Sequence, residues 1–187
     1  MKRIDALQVI NTVWDTRPLI VTCGATAREF DSLGRRDHRL PLLDSMGLTS
    51  AVGLGVALGV SGPVGILDGD GSLLMGFSIL PTLASLRPPN LTLLVLDNGQ
   101  HASADNMPSQ AAELDLAAAI RGCGITTLEV DVFEDLADAL SAATTGGQFS
   151  ALVAHVEPGN ASGIPFLLAD PVVLADRFAT ALHDSAS

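Results

Sequence analysis

The sequence has little positive charge. Its 187 residues include 10 lysines and arginines against 21 aspartates and glutamates, and Lys2 is the only lysine. The net charge of −11 argues against a nucleic-acid surface, because such a surface needs basic residues to face the phosphates. The length is sufficient for one hydrophobic core and short for two, so we expect a single domain over residues 1–187.

Cysteine is also scarce. Cys23 and Cys123 are the only two, and their spacing matches neither a zinc site nor a disulfide framework. The N-terminus has Asp5 where the apolar region of a signal peptide would begin. These features favour a cytoplasmic protein that is not exported.

One uncharged run, residues 45–67, has the length of a membrane span. It contains six glycines and is interrupted by Ser61-Gly62-Pro63, so it is better explained as a buried helix followed by a short buried strand. We therefore expect no membrane association.

Strand-like and helix-like segments alternate along the chain. Apolar spacing predicts a first helix over 4–13, and apolar runs predict strands at 19–22, 40–43, 64–67, 91–96, 125–130 and 150–156. A helix over 73–86 should be interrupted near 78–81 by Pro81, residues 100–109 should be irregular, and residues 185–187 should fray. Asp170 and Pro171 suit the start of a last helix. The alternation predicts an α/β fold with a mostly parallel six-stranded sheet, helices on both faces, and a site at the carboxyl ends of the strands.

Two strand ends carry polar side chains. Gly69-Asp70-Gly71-Ser72 follows one predicted strand, and Asp97-Asn98-Gly99 follows the next. A carboxylate and an amide oxygen at neighbouring strand ends suit Mg²⁺, which takes its remaining ligands from phosphate and water. The glycine at position 71 lets the backbone approach a diphosphate closely. The alternative is that both dipeptides simply form turns, in which Asp-Gly and Asn-Gly are common.

With this spacing, the two segments resemble the diphosphate and Mg²⁺ motif of thiamine diphosphate enzymes. Residues 69–75 and 96–99 are most similar to the beta subunit of sulfopyruvate decarboxylase and to phosphonopyruvate decarboxylase. The resemblance implies the diphosphate-binding domain of the thiamine diphosphate-binding fold, thiamine diphosphate and Mg²⁺ as cofactors, and decarboxylation of a 2-oxo acid.

The resemblance also implies roles for single residues. The cofactor-binding set is Gly24, Thr26, Asp44, Met46, Gly69, Asp70, Gly71, Ser72, Asn98 and Gln100. Asp70, Asn98 and the carbonyl of Gln100 would hold the metal, and Met46 would support the bent shape of the cofactor. Relatives have a hydroxyl residue at the position of Ala25 and a glycine at the position of Asp44. Thr26 or a backbone N–H would then replace the hydroxyl contact, and Asp44 would act through its carbonyl; Met46 could instead be a core filler.

Other residues are open to two interpretations. His101 could move protons or hold a substrate carboxylate as a catalytic residue, or it could cap the loop or face solvent. Residues 105–108 depart from the Gly-Gly-Gln-Pro run of relatives, which leaves the substrate open. A sulfonate or phosphonate substrate would need cations, and the local candidates are Arg28, Arg35, Arg36 and Arg39, which could equally be solvated loop residues.

The chain lacks a glutamate in any segment resembling a pyrimidine-binding domain, where this family carries its essential glutamate. We therefore expect a diphosphate-binding beta subunit, inactive alone, that forms an α2β2 or larger hetero-oligomer with a pyrimidine-binding alpha subunit. Sulfopyruvate decarboxylation is the first hypothesis for its function. The alternatives are a subunit for phosphonopyruvate or another 2-oxo acid, and a structural or regulatory subunit that retains the fold without turnover.

Two further patterns carry less weight. Gly53, Gly55 and Gly59 imitate a dinucleotide fingerprint but lie within a helix-length segment instead of in the turn after a strand. Cys23 stands at a strand end, yet no base is placed to activate its thiol, so we interpret it as a small buried residue.

Overall fold

The computed structural model describes residues 1–184, so the predicted fraying of residues 185–187 lies outside the described part. The strands are β1 Leu19–Val21, β2 Arg39–Pro41, β3 Val64–Gly69, β4 Leu91–Asp97, β5 Gln100–His101, β6 Met107–Pro108, β7 Thr126–Val130 and β8 Ser150–His155. The helices are α1 Arg3–Val13, α2 Ala25–Ser32, α3 Thr49–Gly59, α4 Asp70–Met75, α5 Ile79–Leu86, α6 Leu116–Gly122, α7 Leu136–Thr145 and α8 Pro171–Asp184.

Six strands form one sheet in the order β2-β1-β3-β4-β8-β7, and every neighbouring pair is parallel. This confirms the predicted α/β class. Strands β5 and β6 form a separate antiparallel hairpin, so the prediction that residues 100–109 lack regular structure was wrong. The hairpin has only two residue pairs, a length that leaves no alternating apolar pattern in the sequence.

Helices cover both faces of the sheet. The central strands are buried on both sides, and successive residues point to opposite faces. Ile66, Leu93 and Val153 face a core formed with α3, α4, α5, α6 and α8. Leu67, Leu94 and Leu152 face a second core formed with α1, α2 and α7. Near-continuous apolar runs such as 91–96 follow from this double coverage.

The helix predicted over 73–86 is divided in two. Helix α4 ends at Met75 and α5 begins at Ile79, which places the break slightly earlier than predicted. Pro81 therefore lies in the first turn of α5, where its missing N–H costs no helical hydrogen bond. At the last helix the predicted cap is confirmed, because the Asp170 carboxylate accepts a hydrogen bond from the Val172 N–H at 2.8 Å.

The uncharged run divides into α3 and β3, as the sequence predicted. Within residues 1–184, every helix is too short or too polar to traverse a bilayer.

Candidate functional site

A polar cleft opens at the carboxyl ends of β1, β3 and β4. The cleft together with the open solvent at its mouth occupies about 480 Å³. Nine of the predicted site residues line it: Thr26, Met46, Gly69, Asp70, Gly71, Ser72, Asn98, Gln100 and His101. Gly24 and Asp44 are exposed beside it and do not form its wall. The parallel sheet explains this convergence, because the carboxyl ends of its strands meet along one edge.

Asp70 is the buried acid of the cleft. Its carboxylate accepts hydrogen bonds from the Ser109 hydroxyl and from the backbone N–H groups of Gly71 and Asn98. Burial raises the pKa of Asp70, and these hydrogen bonds offset only part of that effect. Asp70 and the start of the Asn98 segment are thus in contact, as their neighbouring strands require.

Asn98 presents an unsatisfied amide. Its Oδ1 accepts a hydrogen bond from the Gln100 N–H at 3.1 Å. Its Nδ2 is buried without a hydrogen-bond partner among residues 1–184. A buried amide group without a partner is costly, so this atom indicates that a polar ligand belongs beside it.

His101 lies over Gly71. A Cβ built on Gly71 would lie 2.3 Å from Cε1 and 2.5 Å from Nδ1 of the His101 ring, well inside contact distance. In this structure the glycine at position 71 therefore makes room for the imidazole. From the sequence alone, this glycine is predicted to allow the backbone to approach a diphosphate closely.

The segment from Asp44 to Gly47 packs directly on the cradle formed by Gly69–Ser72. The Gly47 N–H donates to Ser72 Oγ at 3.1 Å, and a Cβ at Gly76 would lie 2.0 Å from the Gly47 carbonyl oxygen. Asp44 itself adopts a left-handed backbone with φ of 53°. This backbone conformation favours glycine, the residue that relatives are expected to carry at this position.

Cys23 follows β1 and lines the cleft, half-buried. Burial raises the pKa of its thiol, so the group is protonated and a poor nucleophile at neutral pH. Gly24 follows with φ of +76°, a conformation that a side chain would strain.

Three of the four candidate arginines lie at the opposite end of the sheet. Arg39 pairs in register with Leu19, the first residue of β1, whereas the cleft begins after the last residue of that strand. Its guanidinium donates to Asn11 Oδ1 at 2.5 Å and lies over the Phe30 ring.

Arg35 and Arg36 pair with Asp31 and Asp15 in the same region, at 2.8 and 3.6 Å. Arg35, Arg36 and Arg39 therefore lie away from the cleft and contact other side chains of the chain, which favours the alternative that they have no substrate contact here. Arg28 lies in the first turn of α2, the helix that follows the cleft end of β1, but it does not line the cleft, and its guanidinium lies over the Phe166 ring.

Several site residues were missed by the sequence analysis. Ser109 comes from the polar loop and gave no pattern. Asp68 lies two residues before Asp70, fully buried, and accepts hydrogen bonds from the Gly69 N–H at 3.0 Å and the Thr49 hydroxyl at 3.2 Å. Burial raises its pKa despite these bonds. An acid inside an otherwise apolar strand was a visible signal for this residue.

A second group of charges lies beside the cleft, around His155 at the end of β8. Its Nε2 lies 3.0 Å from Glu129 Oε1, and its Nδ1 lies 3.7 Å from Asp97 Oδ2. Burial lowers the pKa of His155, but the hydrogen bond to Glu129 and the charges of Asp97 and Asp131 outweigh it, so the net shift is upward.

The cleft fits a divalent cation held by few protein carboxylates. Asp70 makes no ion pair with any cationic side chain of residues 1–184. In that same part of the chain, no three His, Cys, Asp or Glu side chains are grouped so that they could hold a metal without other ligands. One carboxylate and one amide suit Mg²⁺, which relies on substrate phosphate and water for its other positions. The unpaired Asn98 Nδ2 is a hydrogen-bond donor, so it fits an acceptor such as a phosphate oxygen, while the Oδ1 of the same amide is the atom that could ligate the cation.

None of the five glutamates lines the cleft. Glu29 is fully buried in an ion pair with Arg3, and Glu129 is engaged with Arg121 and His155. Glu113, Glu134 and Glu157 are exposed outside the cleft.

Comparison with known proteins agrees with this geometry. The family model described as "Thiamine pyrophosphate enzyme, C-terminal TPP binding domain" matches residues 23–154. The sulfopyruvate decarboxylase subunit beta of Methanocaldococcus jannaschii is 30% identical, with 98% of each chain covered. A phosphonopyruvate decarboxylase of Streptomyces viridochromogenes is 35% identical over 86% of this chain, and the match spans only 41% of that longer protein.

Among solved structures, a benzoylformate decarboxylase from Polynucleobacter necessarius has a similar fold. The TM-score is 0.72 at 18% identity, covering 89% of this chain and 34% of that one. At this identity the similarity establishes the fold alone.

Proposed function

Because this chain belongs to the thiamine pyrophosphate enzyme family, we propose that it is the diphosphate-binding subunit of a thiamine diphosphate-dependent 2-oxo acid decarboxylase. The observation that carries the proposal is the convergence of Asp70, Asn98 and Gln100 on one cleft that contains no glutamate. The first part of that observation fits a metal–diphosphate site. Because no glutamate lines the cleft, the essential glutamate would have to come from another subunit.

The residues of the cleft divide into three tasks. Asp70, Asn98 and the carbonyl of Gln100 would hold Mg²⁺, with Gly69–Ser72 and Thr26 beside the diphosphate. Met46 and the carbonyl of Asp44 would face the pyrimidine end of the cofactor. When bound, the cofactor supplies the electron sink for the charge left as a 2-oxo acid loses carbon dioxide.

The protein's own contribution is charge compensation and orientation. Asp70 is held by Ser109 and two backbone N–H groups, so its carboxylate is preorganised before a cation binds. His101 places its imidazole on the cleft wall, within the site where a substrate or cofactor group would lie, so we assign it the role of contacting that group. Cys23 stays protonated and takes no covalent part.

Two relatives of different length support a partner subunit. Its match covers nearly all of a protein named subunit beta, but about two fifths of a longer phosphonopyruvate decarboxylase. We infer that the longer relative holds in one chain what is divided here between this single domain and a pyrimidine-binding alpha subunit. The active site would then lie at the interface between the two.

Sulfopyruvate is the substrate we favour, since a relative named for that activity aligns over the full length of both chains. Phosphonopyruvate is the second candidate, supported by the 35% identity to the Streptomyces protein. Both anions need cationic contacts. None of the four candidate arginines lines the cleft, although Arg28 lies in the first turn of α2, so we expect cations from the partner.

The test is reconstitution. The chain is purified alone and together with the product of the neighbouring reading frame, and carbon dioxide release is followed with sulfopyruvate, phosphonopyruvate and a branched 2-oxo acid. We expect no turnover by the chain alone, and turnover by the complex with the highest kcat/KM for sulfopyruvate. Turnover at ordinary enzyme rates by the chain alone would contradict the division of the site. A complex that binds the cofactor with Mg²⁺ but turns over no 2-oxo acid would support the structural or regulatory alternative.

A further inference from the structure

The three residues His101–Ser103 cross the cleft from one strand end to another. At one end, the ring of His101 lies over Gly71 after β3. At the other, Ser103 Oγ would lie 3.1 Å from a Cβ built on Gly24, after β1. All three residues of this crossing loop line the cleft.

The crossing loop is attached at its middle to a distant part of the chain. Asn160, in the segment after β8, donates from Nδ2 to the carbonyl of Ala102 at 3.1 Å. The two residues are separated by 58 positions in the sequence.

Asn160 is itself held by a buried ion pair. Its Oδ1 accepts from Arg3 Nη2 at 2.7 Å, and the same nitrogen donates to the Gly159 carbonyl at 3.0 Å. Arg3 makes a two-point contact with the Glu29 carboxylate, at 3.0 Å and 2.6 Å. Glu29 Oε1 also accepts from the Ala161 N–H at 2.9 Å, so the carboxylate fixes both the arginine and the segment that carries Asn160.

This network fixes the position of the segment that carries Asn160, in addition to any stability that the ion pair contributes. A bidentate arginine–carboxylate pair fixes direction as well as distance. The side chains of Arg3 and Glu29 are 5% and 1% exposed, so the pair forms a rigid base. The exposed bond from Asn160 contributes little to global stability, yet it determines where the Ala102 carbonyl is held.

We propose that Arg3, Glu29 and Asn160 are positioning residues that hold the crossing loop over the diphosphate cradle and thereby set the affinity for the cofactor. The inference deepens the proposed function and rests on it for the identity of the ligand. The network acts through the backbone of Ala102 on both neighbours, the His101 ring and the Ser103 side chain.

The sharpest variant is Asn160→Asp. Aspartate keeps an oxygen for Arg3 and loses the N–H2 group that donates to Ala102, so it detaches the loop, but it adds a negative charge beside Arg3. Asn160→Ala loses the same donor without adding a charge and is measured beside it, so an effect shared by both Asn160 variants is due to the lost hydrogen bond. Ser162→Ala is the matched control, because Ser162 is exposed in the same segment and makes no hydrogen bond within the described part of the chain. Asn160→Asp and Ser162→Ala should both melt within about 2 °C of the wild type, since neither alters the buried pair.

The first measurement uses the chain without cofactor. In Asn160→Asp, backbone hydrogen exchange over residues 99–109 should be faster by about fivefold, the change expected for one ordinary hydrogen bond, and the NMR signals of the His101 imidazole should shift. Exchange in the buried strands should be unchanged, and Ser162→Ala should resemble wild type throughout. Equal exchange in Asn160→Asp and wild type would overturn the proposal.

The second measurement is titration of thiamine diphosphate with Mg²⁺ into the chain with its co-expressed partner. The dissociation constant for Asn160→Asp should rise by about fivefold over that of Ser162→Ala. A loosened loop with unchanged affinity would overturn the role in cofactor binding. If the wild-type complex binds no cofactor at all, the proposed function fails, and the exchange result still decides whether Asn160 positions the loop.

Discussion

The contact between Gly71 and His101 gives the most quantitative prediction. A Cβ at position 71 would be 2.3 Å from His101 Cε1, whereas ordinary contact begins at 3.4 Å, so Gly71→Ala must displace the ring or the backbone by about 1 Å. Overpacking costs about 1–3 kcal/mol in a packed core, and the low end of that range applies here because the half-buried His101 ring can move toward the open cleft. Gly71 lies within α4, where replacing glycine by alanine recovers up to about 1 kcal/mol.

The balance of these two effects predicts a net loss of up to about 1 kcal/mol for Gly71→Ala, which lowers Tm by at most about 2–4 °C in a chain of this size. The sign should reverse when His101 is absent. In a His101→Ala background, the overlap disappears and only the helical gain remains, so Gly71→Ala should stabilise that protein by up to about 1 kcal/mol.

The assay is urea unfolding of the four proteins in this double-mutant cycle, followed by circular dichroism. Gly69→Ala is the matched control, because a Cβ there meets nothing within 4 Å and its φ of −105° suits alanine. We expect Gly69→Ala to be neutral in both backgrounds. If Gly71→Ala is equally destabilising with His101 and with alanine at position 101, the ring is not what excludes a side chain from position 71.

Three further predictions follow from single residues. Asp44→Gly should stabilise the chain by up to about 1 kcal/mol in urea unfolding, because Asp44 has a φ of 53°; no gain would show that the aspartate is unstrained. Thiamine diphosphate with Mg²⁺ should slow iodoacetamide labelling of Cys23 in the complex and leave Cys123 unaffected, because only Cys23 lines the cleft; equal protection of both would contradict the cofactor's placement. The raised pKa of His155 adds stability that is complete below pH 6.5 and is lost as the pH rises above it through the folded-state pKa. His155→Gln should therefore flatten the fall in urea midpoint above pH 6.5; an unchanged slope would assign the dependence to another group.

The parts of the site that could be predicted are those encoded by local sequence. Asp70 and Asn98 each end an apolar run, and in a parallel sheet such ends meet at one edge, so a one-dimensional pattern was enough to bring them together. The break before Pro81 was likewise predictable from the backbone chemistry of proline.

The parts that could not be predicted depend on contacts between distant segments. Arg3 and Glu29 are 26 residues apart, and nothing in either helix marks them as partners. The placement of Arg39 failed for a related reason: the sequence shows that it adjoins a short strand but not that it stands at the amino end, where Leu19 pairs with it. Ser109 reaches Asp70 only because the β5–β6 hairpin folds back toward β3.

In the proposed function, one divalent cation binds between the ends of β3 and β4 and holds the diphosphate there. Crystals of the complex grown with thiamine diphosphate and Mn²⁺ in place of Mg²⁺ would test it through the anomalous signal of manganese. We expect a single peak within about 2.2 Å of the Asp70 carboxylate and the Asn98 amide oxygen, with the diphosphate against Gly69–Ser72. A peak elsewhere, or a cofactor bound away from both side chains, would contradict it.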